Sequence, residues 1–167
     1  MKKATKIALV ILILLVAAAV PLYYYTRPAS NQPGTIEIMG NVADPMNVTL
    51  SQLKSEAPVT LQVTLTSSGS PSENGVYNFT GIPLSTLLQQ AHISANATSV
   101  YIQASDGYGT SISMQDAMNQ STIIAYAKDG SPLAPLKSGG EGPLRLVIGT
   151  DQFAQRWVKG VVAIQVT

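Results

Sequence analysis

The run Phe79-Thr80-Gly81-Ile82-Pro83-Leu84-Ser85-Thr86-Leu87-Leu88 joins two periodicities. Leu84, Leu87, Leu88 and Ala91 are spaced i, i+3, i+4, i+7, which puts four apolar side chains on one face of a helix over Leu84–Ala91. Pro83 suits the first turn of that helix, where a missing N–H costs nothing. Upstream the period changes to two. Val76–Phe79 reads as a short strand, and Val59–Thr66 alternates over eight residues as a half-buried strand. Between them Ser67–Gly75 is built of turn formers and reads as a loop.

Further out, Thr35–Met39 alternates, and Asn47–Leu53 reads as a strand start or a short helix capped by Thr49 or Ser51. Downstream, Ser99–Ala104 and Thr110–Met114 alternate on either side of Asp106-Gly107, a hairpin signal. Met114–Met118 has room for one helical turn. Thr122–Ala127 and Pro143–Ile148 read as strands, Asp151–Arg156 as a short helix, and Trp157–Val166 as a long terminal strand. About seven strands and two or three short helices give an α+β, mainly-β single domain behind a hydrophobic leader.

The leader is read from charge and length. Lys2, Lys3 and Lys6 precede fourteen uninterrupted apolar residues, Ile7–Val20. A signal peptide, cleaved near Ala17-Ala18-Ala19, and a membrane anchor both fit. Continuing to Tyr25 gives nineteen residues, roughly 28 Å as a helix, with Tyr23–Tyr25 at the interface. We favour the anchor. The expected organisation is residues 1–25 as signal anchor or signal peptide, 26–34 as linker and 35–167 as the domain. The lysines stay inside, so the domain is expected on the extracytoplasmic side of the cell membrane, or secreted if the leader is cut.

Composition excludes several chemistries. Beyond Arg27 the chain has six basic and nine acidic residues, a charge of −3, which is the wrong sign for a nucleic-acid binder. With no cysteine there is no disulfide, thiolate metal site or cysteine nucleophile. The single histidine, His92, cannot build a histidine cage and is expected to serve the C-terminal end of the helix before it. Asn47, Asn78, Asn96 and Asn119 each begin an Asn-X-Ser/Thr acceptor pattern, which suits a glycosylated, exported surface.

Two segments could carry chemistry. Ser138-Gly139-Gly140-Glu141-Gly142-Pro143, with Arg145 close by, could present successive N–H groups to an anion, or be a plain loop entering a strand. In Asp106-Gly107-Tyr108 the tyrosine could face a pocket or lie on a turn. Trp157 is expected in the core.

Taken in order, these pieces resemble a family. Phe79, Gly81, Ile82, Pro83, Leu84, Leu87 and Leu88, then Ser105–Tyr108, then Asp129, Gly130, Pro132 and Leu133, then Gly142–Val147, then Trp157–Lys159 with Val161, Ile164 and Val166, are similar to the molybdopterin-binding domain of the sulfite oxidase family. The resemblance covers Thr35 to Thr167. It implies the sulfite oxidase molybdopterin-binding fold and a molybdenum–pterin cofactor ligated by one cysteine. It places Ser67, Gly69, Tyr108, Arg145 and Lys159 at the cofactor, with Ser67 where the cysteine stands. A serine hydroxyl ionises far less readily than a thiol and makes a poorer anionic ligand.

From this we expect a non-catalytic ligand-binding or accessory module, with no cofactor and no metal ligand of its own. Its partners would be the membrane, through the N-terminal helix, and a redox or surface protein. Two alternatives stay open: a molybdopterin-dependent oxidoreductase or redox subunit that keeps the cofactor, and a structural cell-surface glycoprotein.

Overall fold

The computed structural model describes residues 33–167. The leader at 1–25 and nearly all of the 26–34 linker lie outside the described residues. Within them no helix is long and apolar enough to cross a membrane.

Ten strands and three short α-helices are described. They are β1 (Thr35–Gly40), β2 (Met46–Thr49), α1 (Leu50–Ser55), β3 (Val59–Leu65), β4 (Gly75–Pro83), α2 (Leu84–Gln90), β5 (Ser99–Ala104), β6 (Gly109–Ser113), α3 (Met114–Ala117), β7 (Thr122–Lys128), β8 (Ser131–Pro132), β9 (Arg145–Ile148) and β10 (Val161–Val166). One sheet runs β2-β1-β10-β5-β6; the other runs β3-β4-β7, with β8 and β9 both on β7. Only β1–β10 is parallel; every other strand pair is antiparallel.

Both sheets contribute to one apolar cluster, from Ile36 and Ile38 on β1 to Phe79 and Ile82 on β4 and Ile123 and Ile124 on β7, all 0% exposed. The α2 stripe closes it: Leu84, Leu87, Leu88 and Ala91 are all 0% exposed, as their spacing requires. Thr49 caps α1 in a capping box with Gln52, whose side chain takes the Thr49 N–H at 2.8 Å.

Five expectations change. The strand expected at Val76–Phe79 spans Gly75–Pro83, because Gly81 does not break it. Gly81 sits at a bulge against β7, where an added Cβ would lie 2.2 Å from the Ile124 carbonyl oxygen, so only glycine allows the approach. Pro83 is the last strand residue and the N-cap of α2, one step before the first turn. The terminal strand starts at Val161, not Trp157. Gly160 at φ +67 turns the chain, and Lys159 bridges back to Arg145. Asp151–Arg156 forms only a 3₁₀ turn at Ala154–Arg156, and the Pro143–Ile148 strand begins at Arg145.

Candidate functional site

Three chain segments, with Leu136 from a fourth, meet around a cleft of about 530 Å³, within the size range of small-molecule sites. All five candidates, Ser67, Gly69, Tyr108, Arg145 and Lys159, line it.

The first segment follows β3. Its loop is pinned locally: the Ser67 N–H donates to Asn74 Oδ1 at 2.7 Å, and Ser67 Oγ accepts the Ser70 N–H at 3.1 Å. The loop is also anchored to the far segment, where the Ala154 N–H donates to the Thr66 carbonyl at 2.9 Å. A 3₁₀ turn at Pro71–Glu73 then carries Glu73 to the cleft.

The second segment is the β5–β6 hairpin. Asp106 Oδ1 accepts the Tyr108 N–H at 3.0 Å, an Asx-type turn. The Tyr108 hydroxyl donates to the Gln155 carbonyl at 2.7 Å, so the tyrosine bridges two walls of the cleft. It is therefore more than a turn ornament.

The third segment brings Arg145 from β9 with Trp157 and Lys159 from the irregular stretch before β10. Arg145 is 2% exposed. Its guanidinium carbon lies 5.4 Å from the Phe79 ring centre and 5.5 Å from that of Trp157, with the rings edge-on to each other. It donates to Glu141, which also takes Lys128 at 3.1 Å. Burial pushes the Glu141 carboxyl up, but the Arg145 charge and the hydrogen bonds from Lys128 and Arg145 outweigh it and hold the group below its ordinary value. Lys159 Nζ donates to both Glu73 oxygens, at 2.8 and 2.7 Å. Two buried donors, Arg145 Nε and Trp157 Nε1, have no hydrogen-bond partner.

Of the two readings of Ser138–Gly142, the structure has the plain loop rather than the anion-binding turn. The N–H groups of Ser138, Gly139, Gly140 and Gly142 donate to the carbonyls of Pro135, Leu136, Pro135 and Ala134. Glu141 itself supplies the anion on Arg145. His92 stands outside the cleft in an exposed pair with Asp44 at 2.7 Å. Asn47, Asn78, Asn96 and Asn119 are all exposed. Trp157 is buried as expected yet lines the cleft.

Sequence reasoning missed Glu73 and Asp106 as cleft groups, and Glu141 as the carboxylate on Arg145. It also missed Arg156, whose guanidinium joins Asp151 to Asp116 of α3 at the neighbouring wall. The hydrogen bond to Asp151, followed by that to Asp116, holds its pKa above the ordinary arginine value. Glu73 with Lys159 and Asp116 with Arg156 come from separate segments; Glu141 and Asp151 lie four and five residues from their arginines, in irregular chain with no periodic pattern to mark them.

The family model for the oxidoreductase molybdopterin binding domain matches residues 26–167, starting within the stretch read as linker. Among solved structures, the sulfane dehydrogenase SoxCD from Paracoccus pantotrophus superposes with a TM-score of 0.70 at 22% identity. The alignment covers 83% of this chain and 39% of that one, so this chain spans well under half of its length. At that identity the likeness speaks to the fold. No curated protein matches the sequence.

Proposed function

This chain belongs to the oxidoreductase molybdopterin binding domain family, and from that premise we propose that it is a ligand-binding or accessory module of the sulfite oxidase-type fold, without molybdenum chemistry of its own. The observation that carries this is the pairing of both cleft cations. Lys159 is matched by Glu73 and Arg145 by Glu141, each from a separate turn. A phosphate-bearing pterin would meet two cations whose charge is already matched.

The metal side fits no better. Ser67 takes the position that the resemblance gives to a cysteine, and its oxygen accepts a backbone N–H. It offers a neutral hydroxyl where a soft thiolate would be needed. The cleft's own chemistry favours a small organic ligand held by hydrogen bonds. Glu73 and Asp106 can accept from it, Lys159 can donate, the Tyr108 hydroxyl oxygen can accept, and the Trp157 ring gives an apolar wall.

The test is elemental and pterin analysis of the full chain purified from a host that makes molybdopterin. Molybdenum and pterin far below one per chain are expected. One of each per chain would overturn the reading.

A second reading, an oxidoreductase or redox subunit that retains the cofactor, is favoured by one observation. All five candidates line a single cleft, and two buried donors there lack partners. The same convergence counts against a purely structural surface glycoprotein.

Placement is part of the proposal. The basic, apolar leader supports anchoring in the cell membrane with the domain outside, where a redox or surface protein would be its partner and the four exposed sequons could carry glycans. Protease added to intact cells should remove the domain; full protection would overturn that placement.

A further inference from the structure

We propose that two copies of this chain associate by antiparallel pairing of β3 with β3, making one continuous sheet across a two-fold axis at Gln62. The strand is the outer member of its sheet. It pairs with β4 in an unbroken seven-residue register, and no strand or isolated bridge of the described residues pairs with its other side.

Outer strands normally carry devices that block such pairing: charge, proline, a bulge or short length. Among the outer strands here, β8 is two residues long and contains Pro132, β9 and β2 have four residues each, and β6 has five and opens on Gly109. By contrast β3 has seven residues, roughly 23 Å, without a charge, a proline, a glycine or a bulge. Its inward side is also incompletely covered. Val63 and Leu65 are buried, yet Val59 and Leu61, on the same side, are only half-buried. Apolar surface along this flank is left for another body to cover.

The sequence specifies which body. Read antiparallel about Gln62, Val59-Thr60-Leu61-Gln62-Val63-Thr64-Leu65 pairs Val59 with Leu65, Thr60 with Thr64, Leu61 with Val63 and Gln62 with itself. Each pair matches in kind and in face. The apolar pairs lie on the core side, and the Thr and Gln pairs on the exposed side, where Thr60, Gln62 and Thr64 stand. Threonine pairs and β-branched pairs across strands are favourable, and no like charges oppose each other. A partner of different sequence would not need this mirror pattern; a two-fold contact does, because each residue must suit its image. Using the edge in this way also closes it, so association stops at two.

The chain has no cysteine, so single introduced cysteines report on this contact in the full-length protein in its membrane or detergent. Residues directly opposed in an antiparallel pair have Cα atoms about 4.5–5.5 Å apart, within the range a disulfide spans. Gln62→Cys should therefore form a reducible dimer under mild oxidation, in several-fold excess over an exposed control, Gln152→Cys. Thr60→Cys alone should cross-link poorly, since its image lies about 13 Å along the strand. Mixing Thr60→Cys with Thr64→Cys chains should restore the yield, and adding Gln62→Lys to both should abolish it. Association through the leader would not produce this register. Equal cross-linking of Gln62→Cys and Gln152→Cys, or equal yields for Thr60→Cys and Gln62→Cys, would each overturn the proposal.

Discussion

Lys159 holds Glu73 by both carboxylate oxygens, at 2.8 and 2.7 Å, across 86 residues of chain. Apart from this pair, the polar ties between the loop after β3 and the far cleft wall come down, among the described residues, to the Ala154–Thr66 backbone bond. The ion pair is about one-third exposed on each side, so its contribution to stability is modest and its effect on cleft charge is large.

Glu73→Gln should leave Lys159 without a charged partner. Stability should fall by less than about 1 kcal/mol. Binding of inorganic phosphate, measured by calorimetry, should strengthen relative to the natural chain, and Lys159→Met should remove that gain. Unchanged phosphate binding in Glu73→Gln would mean that the pair does not govern the cleft's preference for anions.

Glu141 makes acid stability a readable quantity. Its carboxyl lies below its unfolded value of 4.5 in the folded chain. A group depressed in this way contributes stability above the unfolded value, and the contribution is lost as pH falls through the folded one. Urea midpoints taken from about pH 6 down to about pH 3 should decline with an excess slope that Glu141→Gln reduces. At neutral pH the same substitution strands Arg145, which is 2% exposed, and should cost about 3 kcal/mol or more.

Leu88→Ala should remove a fully buried side chain from the α2 stripe and cost about 2–5 kcal/mol, read by chemical denaturation. Gln90→Ala, on the exposed side of the same helix, should change the midpoint little, since its bond to Glu56 is a surface one.

Gly81→Ala should be more damaging than its single methyl implies. The new Cβ would meet the Ile124 carbonyl oxygen at 2.2 Å and the Ala125 Cα at 2.5 Å. The β4–β7 ladder must spread, and hydrogen exchange of the Ile123–Ala125 amides should accelerate. Unchanged protection there would mean that the bulge adapts.

Where the sequence was legible, a local rule was in force. Leu84, Leu87, Leu88 and Ala91 announce α2 because helix packing depends on a short repeat. Val59–Leu65 announces β3 through alternation, and Asp106-Gly107 announces its hairpin. Misreadings occurred where a residue that usually breaks structure was used within it. Gly81 makes a bulge inside β4, while Gly160 really does turn the chain and shortens β10. Ser67, Gly69 and Lys159 were placed through family resemblance alone, while Tyr108 and Arg145 were also marked by the turns beside them. Their electrostatics stayed hidden, because Glu73 meets Lys159 only through the tertiary fold and Glu141 reaches Arg145, four residues on, through a loop with no helical repeat to announce it.

Trp157 is the single tryptophan of the chain, 5% exposed, edge-on to Phe79, beside the Arg145 guanidinium and on the cleft wall. The molecule therefore carries its own optical reporter. Its ultraviolet emission comes from one indole in one environment, so unfolding should shift it to the red as a single population. A ligand settling against the cleft wall should change the same signal without unfolding, which allows candidate ligands to be screened on the unlabelled protein.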